Sequence, residues 1–178
     1  MRQTNVRDKL IAGGTTCFHS QGYKGTTIED IAKASGVFKG SFYNHFKSKE
    51  ALAIEVIGQY ERKGTATLKL KGPPSPLRRL KSHFDYLASL HKANDYQNGC
   101  LLGNFSSEAA HAGKYLRRAL DDAYQRWFTA MEEVIRQAQA EGEISTHYDP
   151  EQLARFLGNS WEGATNYLKV IRLSLIHI

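Results

Sequence analysis

The sequence predicts an all-α protein of eight or nine helices, with an N-terminal three-helix helix-turn-helix domain and a larger C-terminal helical domain. Three observations predict it. Apolar residues recur at spacings of three and four along every long segment. No stretch sustains the two-residue alternation that a strand requires. The segment Lys71-Gly72-Pro73-Pro74-Ser75-Pro76 carries three prolines in four residues, which no helix can run through. The expected divisions are 1–48 for the helix-turn-helix domain, 49–71 for a connecting helix and 72–178 for the second domain.

Each element follows from local signals. Val6, Leu10, Ile11, Gly14, Cys17 and Phe18 form one face of a first helix, with Gly22 as its expected stop. Thr26-Thr27-Ile28-Glu29-Asp30 reads as a helix start, because a Thr cap and early acids satisfy free N–H groups and suit the dipole. That helix, 28–34, ends at Ser35-Gly36, and another short helix is expected over 39–46. Ser48 caps a fourth helix carrying Leu52, Ile54, Val56, Ile57 and Tyr60. Beyond the prolines, helices are expected over 77–93, 100–111 and 115–141, the last ending at Gly142. Asp149-Pro150-Glu151 places a cap and a first-turn Pro at the start of a final helix toward Leu173. Residues 173–178 continue no recognisable pattern and are assigned no function.

Composition narrows the function. The chain has 178 residues, 41% hydrophobic and 24% charged, an ordinary globular balance. With 4 Pro, 15 Gly and 2 Cys it reads as neither disordered, collagenous nor a disulfide scaffold. No apolar run approaches the roughly 20 residues of a membrane span, and the first residues lack a signal-peptide core. A cytoplasmic protein without a membrane partner is expected. The net charge of +6 is unevenly placed: residues 1–71 hold 12 Lys/Arg against 6 Asp/Glu, whereas 72–178 hold 12 of each. A basic excess confined to one segment points to a polyanion there, nucleic acid first, or to a solvated basic face.

The pair of short helices at 28–34 and 39–46, joined by a tight Gly turn, is a helix-turn-helix candidate. Phe42 and Phe46 are four apart and anchor one face of the second helix. Lys39, Ser41, Tyr43, Asn44 and His45 are left for the other faces, and these types suit phosphates and base edges. Gly40 permits close backbone approach. Ser48 and Lys49 open the next helix with a cation and free N–H groups that favour phosphate, and Thr26 and Thr27 do so at the first helix of the pair. Tyr43, His45 and Lys49 are expected on phosphates, Ser41 and Asn44 on base edges. One such helix makes few base contacts, so a two-fold dimer with recognition helices about 34–36 Å apart is expected.

These residues resemble a known pattern. Gly22-Tyr23, Thr26-Thr27-Ile28-Glu29-Asp30-Ile31-Ala32, Gly36-Val37, Gly40-Ser41-Phe42-Tyr43-Asn44-His45-Phe46 and Ser48-Lys49-Glu50-Ala51-Leu52 are similar to the DNA-binding domain of TetR-family transcriptional regulators. The resemblance covers about residues 5–55. It implies a dimeric, ligand-responsive repressor of an operator in double-stranded DNA, with a C-terminal ligand-sensing and dimerisation domain. It also implies that Thr27, Lys39, Gly40, Ser41, Tyr43, Asn44, His45 and Lys49 face the DNA. Phe38 departs from the pattern, since family members usually carry a small hydroxyl residue there.

The second domain is rich in large aromatics, among them Phe105, Tyr124, Trp127, Phe128 and Trp161. They suit either an ordinary core or a ligand pocket with apolar walls and a few polar tips. The helices at 115–141 and 149–173 are the expected dimer helices, with Ala154, Gly158, Gly163 and Ala164 permitting close approach or packing within the chain. Asn98-Gly99-Cys100-Leu101-Leu102-Gly103-Asn104-Phe105-Ser106-Ser107-Glu108, Trp161-Glu162-Gly163-Ala164 and Lys169-Val170 resemble a subgroup of the family that includes the NemR and AcuR regulators. That resemblance implies sensing of small electrophiles or unsaturated carboxylates. Cys100 opens an expected helix, where the dipole favours thiolate, and Lys169 lies among apolar residues as a possible charge partner. Two readings stand: a thiol whose alkylation or oxidation releases DNA, or a buried inert Cys beside a snorkelling Lys. Cys17 reads as core.

No catalytic, metal or cofactor site is expected. The histidines lack metal-ligand spacing, and there is neither a Gly-rich phosphate loop nor a Gly-x-Ser-x-Gly motif. The competing functions are a helical DNA-binding protein without an effector response, and a helical small-molecule binding protein or enzyme.

Overall fold

A computed structural model describes residues 5–69 and 75–171. Among the described residues there are eight α-helices and no strand. They are α1 Val6–Gly25, α2 Ile28–Ser35, α3 Lys39–Phe42, α4 Lys49–Thr65, α5 Pro76–Ala93, α6 Leu101–Glu108, α7 Lys114–Ala140 and α8 Pro150–Ile171. Short 3-10 turns, Ala66–Lys69 and Ala109–His111, extend α4 and α6. The expected tail at 173–178 lies outside the described residues.

The helix starts follow their caps. Thr27 accepts from the Asp30 amide at 3.1 Å, and the Asp30 carboxylate accepts from the Thr27 amide at 2.9 Å, a closed capping box. Ser48 accepts from Ala51 and Asp149 from Gln152, each opening its helix as expected, and Ser75 accepts from Arg78 at the start of α5. Gly36 ends α2 at φ 61°, in the left-handed region where only Gly is unstrained. Gly22 breaks the regular helix as expected, at φ 74° and ψ 177°, and one further turn runs on to Gly25. The second helix of the pair is shorter than the expected 39–46. Regular helix ends at Phe42, whose carbonyl takes both the His45 amide at 3.0 Å and the Phe46 amide at 2.9 Å, and turns carry the chain on.

The chain forms two compact units. The first contains the residues through Tyr60 together with Cys100–Asp121; the second contains Glu61–Gly99 and the residues from Asp122 on. The reason is apolar. Leu101 and Phe105 of α6 are buried, and the Phe105 ring meets Phe18 at 5.4 Å and Tyr23 at 5.9 Å, so α6 completes the core begun by α1. Leu10, Ile31, Phe42, Leu52 and Ile57 are buried in the same unit. The second unit packs Leu80 of α5, Trp127, Phe128, Met131, Val134 and Ile135 of α7 and Ala154 of α8 into one cluster.

Ala154 and Gly158 serve this packing within the chain. Ala154 is buried, and a Cβ added at Gly158 would lie 2.5 Å from Phe128 Cε1. Neither is therefore free to face a second copy. Gly163, by contrast, is exposed with open space at its Cβ position. Replacing Gly158 by Val is expected to lower the unfolding free energy by about 1–3 kcal/mol through overpacking, while Gly163→Ala leaves the isolated chain unharmed. Denaturant titration of both variants checks the contrast.

Candidate nucleic-acid interface

The first unit presents a compact polar surface built around two buried rings. Phe42 and Phe46 are buried with their centroids 5.8 Å apart, and the Arg7 guanidinium lies 5.1 Å from the Phe46 centroid. With that face held inside, Lys39, Gly40, Tyr43, Asn44 and His45 are exposed and Ser41 is half-buried. A Cβ added at Gly40 would meet nothing within 4 Å, so the backbone there is open to close approach. Thr27 is exposed beside this set, but its hydroxyl is committed to Asp30, donating at 2.6 Å. Lys39 pairs with Glu29 at 3.1 Å, both side chains mostly in solvent, a contact that a phosphate exchanges at little cost.

Lys49 stands apart from this exposed set. Its ammonium turns inward, donating to the Tyr23 and Thr26 carbonyls at 2.7 Å each, and lies 4.4 Å from the Tyr23 ring centroid. Burial holds its pKa below the ordinary lysine value, and the Glu108 charge opposes that shift. Tyr23 shifts upward through burial and the charges of Glu50 and Glu108. Lys49 thus locks the junction between α1 and α2, a role that spacing did not reveal.

Glu108 works at the same junction. Its carboxylate accepts from the Tyr23 amide at 2.9 Å and the Lys24 amide at 2.8 Å, the N–H groups released by the kink at Gly22. An acid 84 residues away in sequence gives no local signal of this contact.

The sensor residues expected together fall in both units. Cys100 and Phe105 belong to the first, and Tyr124, Trp127, Phe128, Trp161 and Lys169 to the second. Cys100 is buried at the N-cap of α6 and makes no side-chain cap bond; the Tyr60 hydroxyl lies 3.9 Å from its Sγ. Cys17 is also buried, and burial followed by the Asp30 charge raises its pKa. In the second unit, Tyr124 and Phe128 stack at 6.0 Å and Trp127 and Phe128 at 5.9 Å. Trp161 meets Phe84 at 5.4 Å and His91 at 5.6 Å. The Lys169 side chain passes against Gly99, its Cε 2.5 Å from where a Cβ would stand.

His83 is the polar centre of these aromatics. Its Nε2 accepts from the Trp127 indole N–H at 2.9 Å, so the ring proton of the neutral form sits on Nδ1, 2.7 Å from Thr67 Oγ1. The Thr67 hydroxyl donates onward to the Gly64 carbonyl at 3.0 Å. Burial pushes the His83 pKa down to about 4, opposed by the bond toward Gly64. Among the described residues no group of three His, Cys, Asp or Glu could hold a metal ion, and no helix is long and apolar enough to cross a membrane.

Residues 10–56 match the family model "Bacterial regulatory proteins, tetR family", and residues 76–173 match "Tetracyclin repressor-like, C-terminal domain". The chain is 38% identical over 176 residues to the HTH-type transcriptional repressor DhaR of Mycobacterium sp. (strain GP1), covering 97% of this chain and 86% of the relative. It is 32% identical to the transcriptional regulator AcuR of Cereibacter sphaeroides, over 89% of this chain and 74% of that one. The crystal structure of a regulatory protein TetR from Rhodobacter sphaeroides superposes with a TM-score of 0.86 at 30% identity, covering 92% of this chain and 88% of the other. These relatives are regulators, not enzymes.

Two outcomes test the site's internal contacts. Lys49→Met removes a charged donor from two carbonyls and is expected to cost about 1–3 kcal/mol of stability, measured by urea unfolding. For His83, the unfolded ring takes a proton near pH 6.5 while the folded ring resists until about pH 4. Stability is therefore full above 6.5 and is lost as pH falls. Between pH 7 and 5 the wild type is expected to lose about 2 kcal/mol more than His83→Leu, by denaturation at each pH.

Proposed function

The chain belongs to the tetR family of bacterial regulatory proteins, and from that premise we propose that it is a homodimeric repressor that leaves its operator when its second unit responds to a small molecule. The observation that carries the DNA-binding part is the exposed set Lys39, Gly40, Tyr43, Asn44 and His45, with half-buried Ser41 among them, held outward by buried Phe42 and Phe46. Tyr43 and His45 serve phosphates, with Lys39 as the mobile cation. Asn44 and Ser41 serve base edges. Thr27 joins at the start of α2. Lys49 acts by fixing the α1–α2 junction, through the contacts given above. The relative DhaR is named a repressor, which supports the direction of control.

The dimer uses α8. Phe156, Ser160, Gly163, Tyr167 and Val170 repeat at four and three residues and are all exposed, with Phe156 at 67% and Val170 at 77%. An apolar stripe of this kind is stable when a second copy covers it. Pairing places two recognition helices for half-sites a turn of DNA apart. Such a repressor works on DNA in the cytoplasm.

The effector acts through the aromatic cluster of the second unit, which holds Tyr124, Trp127, Phe128 and Trp161. A second route is modification of Cys100, favoured by its place at the N-cap of α6 beside the Tyr60 hydroxyl.

Fluorescence anisotropy with the DNA upstream of the protein's own gene tests the reading. Binding is expected to weaken steeply between 50 and 200 mM salt, as in other phosphate-dominated complexes. Asn44→Ala is expected to cost about 1–3 kcal/mol and to relax sequence preference. Lys39→Ala is expected to weaken all sequences alike and to reduce the salt slope by about 1. Val170→Arg is expected to sediment as a monomer and to lose operator affinity. Loss of binding on N-ethylmaleimide treatment, absent in Cys100→Ser, assigns the thiol route. Equal loss in both assigns the reaction to Cys17, and no loss in either leaves the aromatic cluster as the effector site.

A further inference from the structure

Phe38 gives the fold neither a cap nor burial. It is the N-cap residue of α3, with extended φ −67° and ψ 135°, and it makes no side-chain cap bond. A Ser, Thr or Asp there would satisfy a free amide of the first turn, so Phe forgoes that stabilisation. Its ring finds no burial in exchange: at 87% it is the most exposed of the large apolar side chains among the described residues. Its neighbours are polar or open, with Lys39 and Gly40 following it and nothing within 4 Å of a Cβ at Gly40. A residue that costs local stability twice, with no return to the fold, marks a functional position. It lies at the leading end of the helix whose first residues meet base edges when such motifs dock.

Taking the DNA-binding reading above as its basis, we propose that Phe38 is a specificity-determining residue, which places its ring against the C5-methyl group of a thymine in the major groove of each half-site. The chemistry is selective. A phenyl ring offers no hydrogen bond, and among the four bases only thymine presents an apolar group on the major-groove edge. Gly40 leaves room for the backbone to approach on the side next to the ring. The flanking donors, Lys39, Ser41 and Asn44, fix the register in which the ring meets one base pair. The preference is therefore confined to one position of the half-site, with hydrogen-bonded readout beside it.

The test uses the full-length dimer and a randomised duplex library. Rounds of selection define the sequence that the wild type prefers, and each thymine of that sequence is then replaced by uracil, which lacks only the methyl group. One thymine per half-site is expected to show about a fourfold weakening on replacement, the value of one methyl group removed from water. Phe38→Ala is expected to bind thymine and uracil duplexes equally and to lose the preference at that position while keeping the rest of the sequence. Phe38→Ser, which restores a capping hydroxyl without the ring, is expected to do the same with a raised Tm; its folding keeps the test valid if the Ala variant is unstable. An equal uracil penalty in wild type and variants overturns the proposal, as does an unchanged selected sequence. A folded wild type that selects no sequence at all overturns the DNA-binding reading itself, and Phe38 falls with it.

Discussion

The recognition surface depends on the burial of Phe42 and Phe46. A helix of four residues has no stability of its own, because nucleation costs more than one turn returns. Lys39–Phe42 exists as a helix because two aromatic rings four residues apart are held in the core of the first unit. That anchorage sets which way the remaining side chains point. Lys39, Tyr43, Asn44 and His45 face water because the opposite face is committed. The same constraint explains why the segment tolerates Gly40 and an uncapped Phe38: packing, not propensity, holds it.

Around this anchor, polar contacts fix geometry at places where the backbone leaves the helix. The kink at Gly22 frees amides that Glu108 takes and carbonyls nearby that Lys49 takes. A carboxylate and an ammonium thus clamp a turn of the chain from opposite sides, with α6 and α4 as their supports. The second unit follows the same logic with neutral groups. His83 passes a hydrogen bond from the Trp127 indole through Thr67 to the Gly64 carbonyl, so no donor is wasted among the aromatics. Charge sits at the junction between α1 and α2, and uncharged polar groups sit among the aromatics of the second unit.

Much of this was legible in the sequence. Caps at Thr27, Ser48 and Asp149 and the turn at Gly36 carry local chemistry, and local chemistry survives folding. The exposed set at 39–45 was legible because two Phe residues at helical spacing fix the phase of the segment. The place of α6 in the first unit was not. Prolines mark where a helix ends, not where a core ends, and the ring of Phe105 joins Phe18 across a long separation in sequence. For the same reason the sensor residues fell into both units. Lys49 looked like a phosphate ligand because a cation at a helix start suits one, yet two carbonyls of the kinked α1 terminus reach it first. Ala154 and Gly158 show the limit of composition: small residues permit close approach without naming the partner, and here the partner is Phe128 of the same chain in the case of Gly158.

The central claim is that the surface raised on Phe42 and Phe46 is the one that meets DNA. Amide hydrogen exchange of the intact protein, with and without a duplex taken from upstream of its gene, tests it most directly. Added protection is expected at residues 38–45 and at the start of α2, with the aromatic core of the second unit unchanged. Protection confined to α8 or to the second unit, with residues 38–45 exchanging as before, would contradict the account.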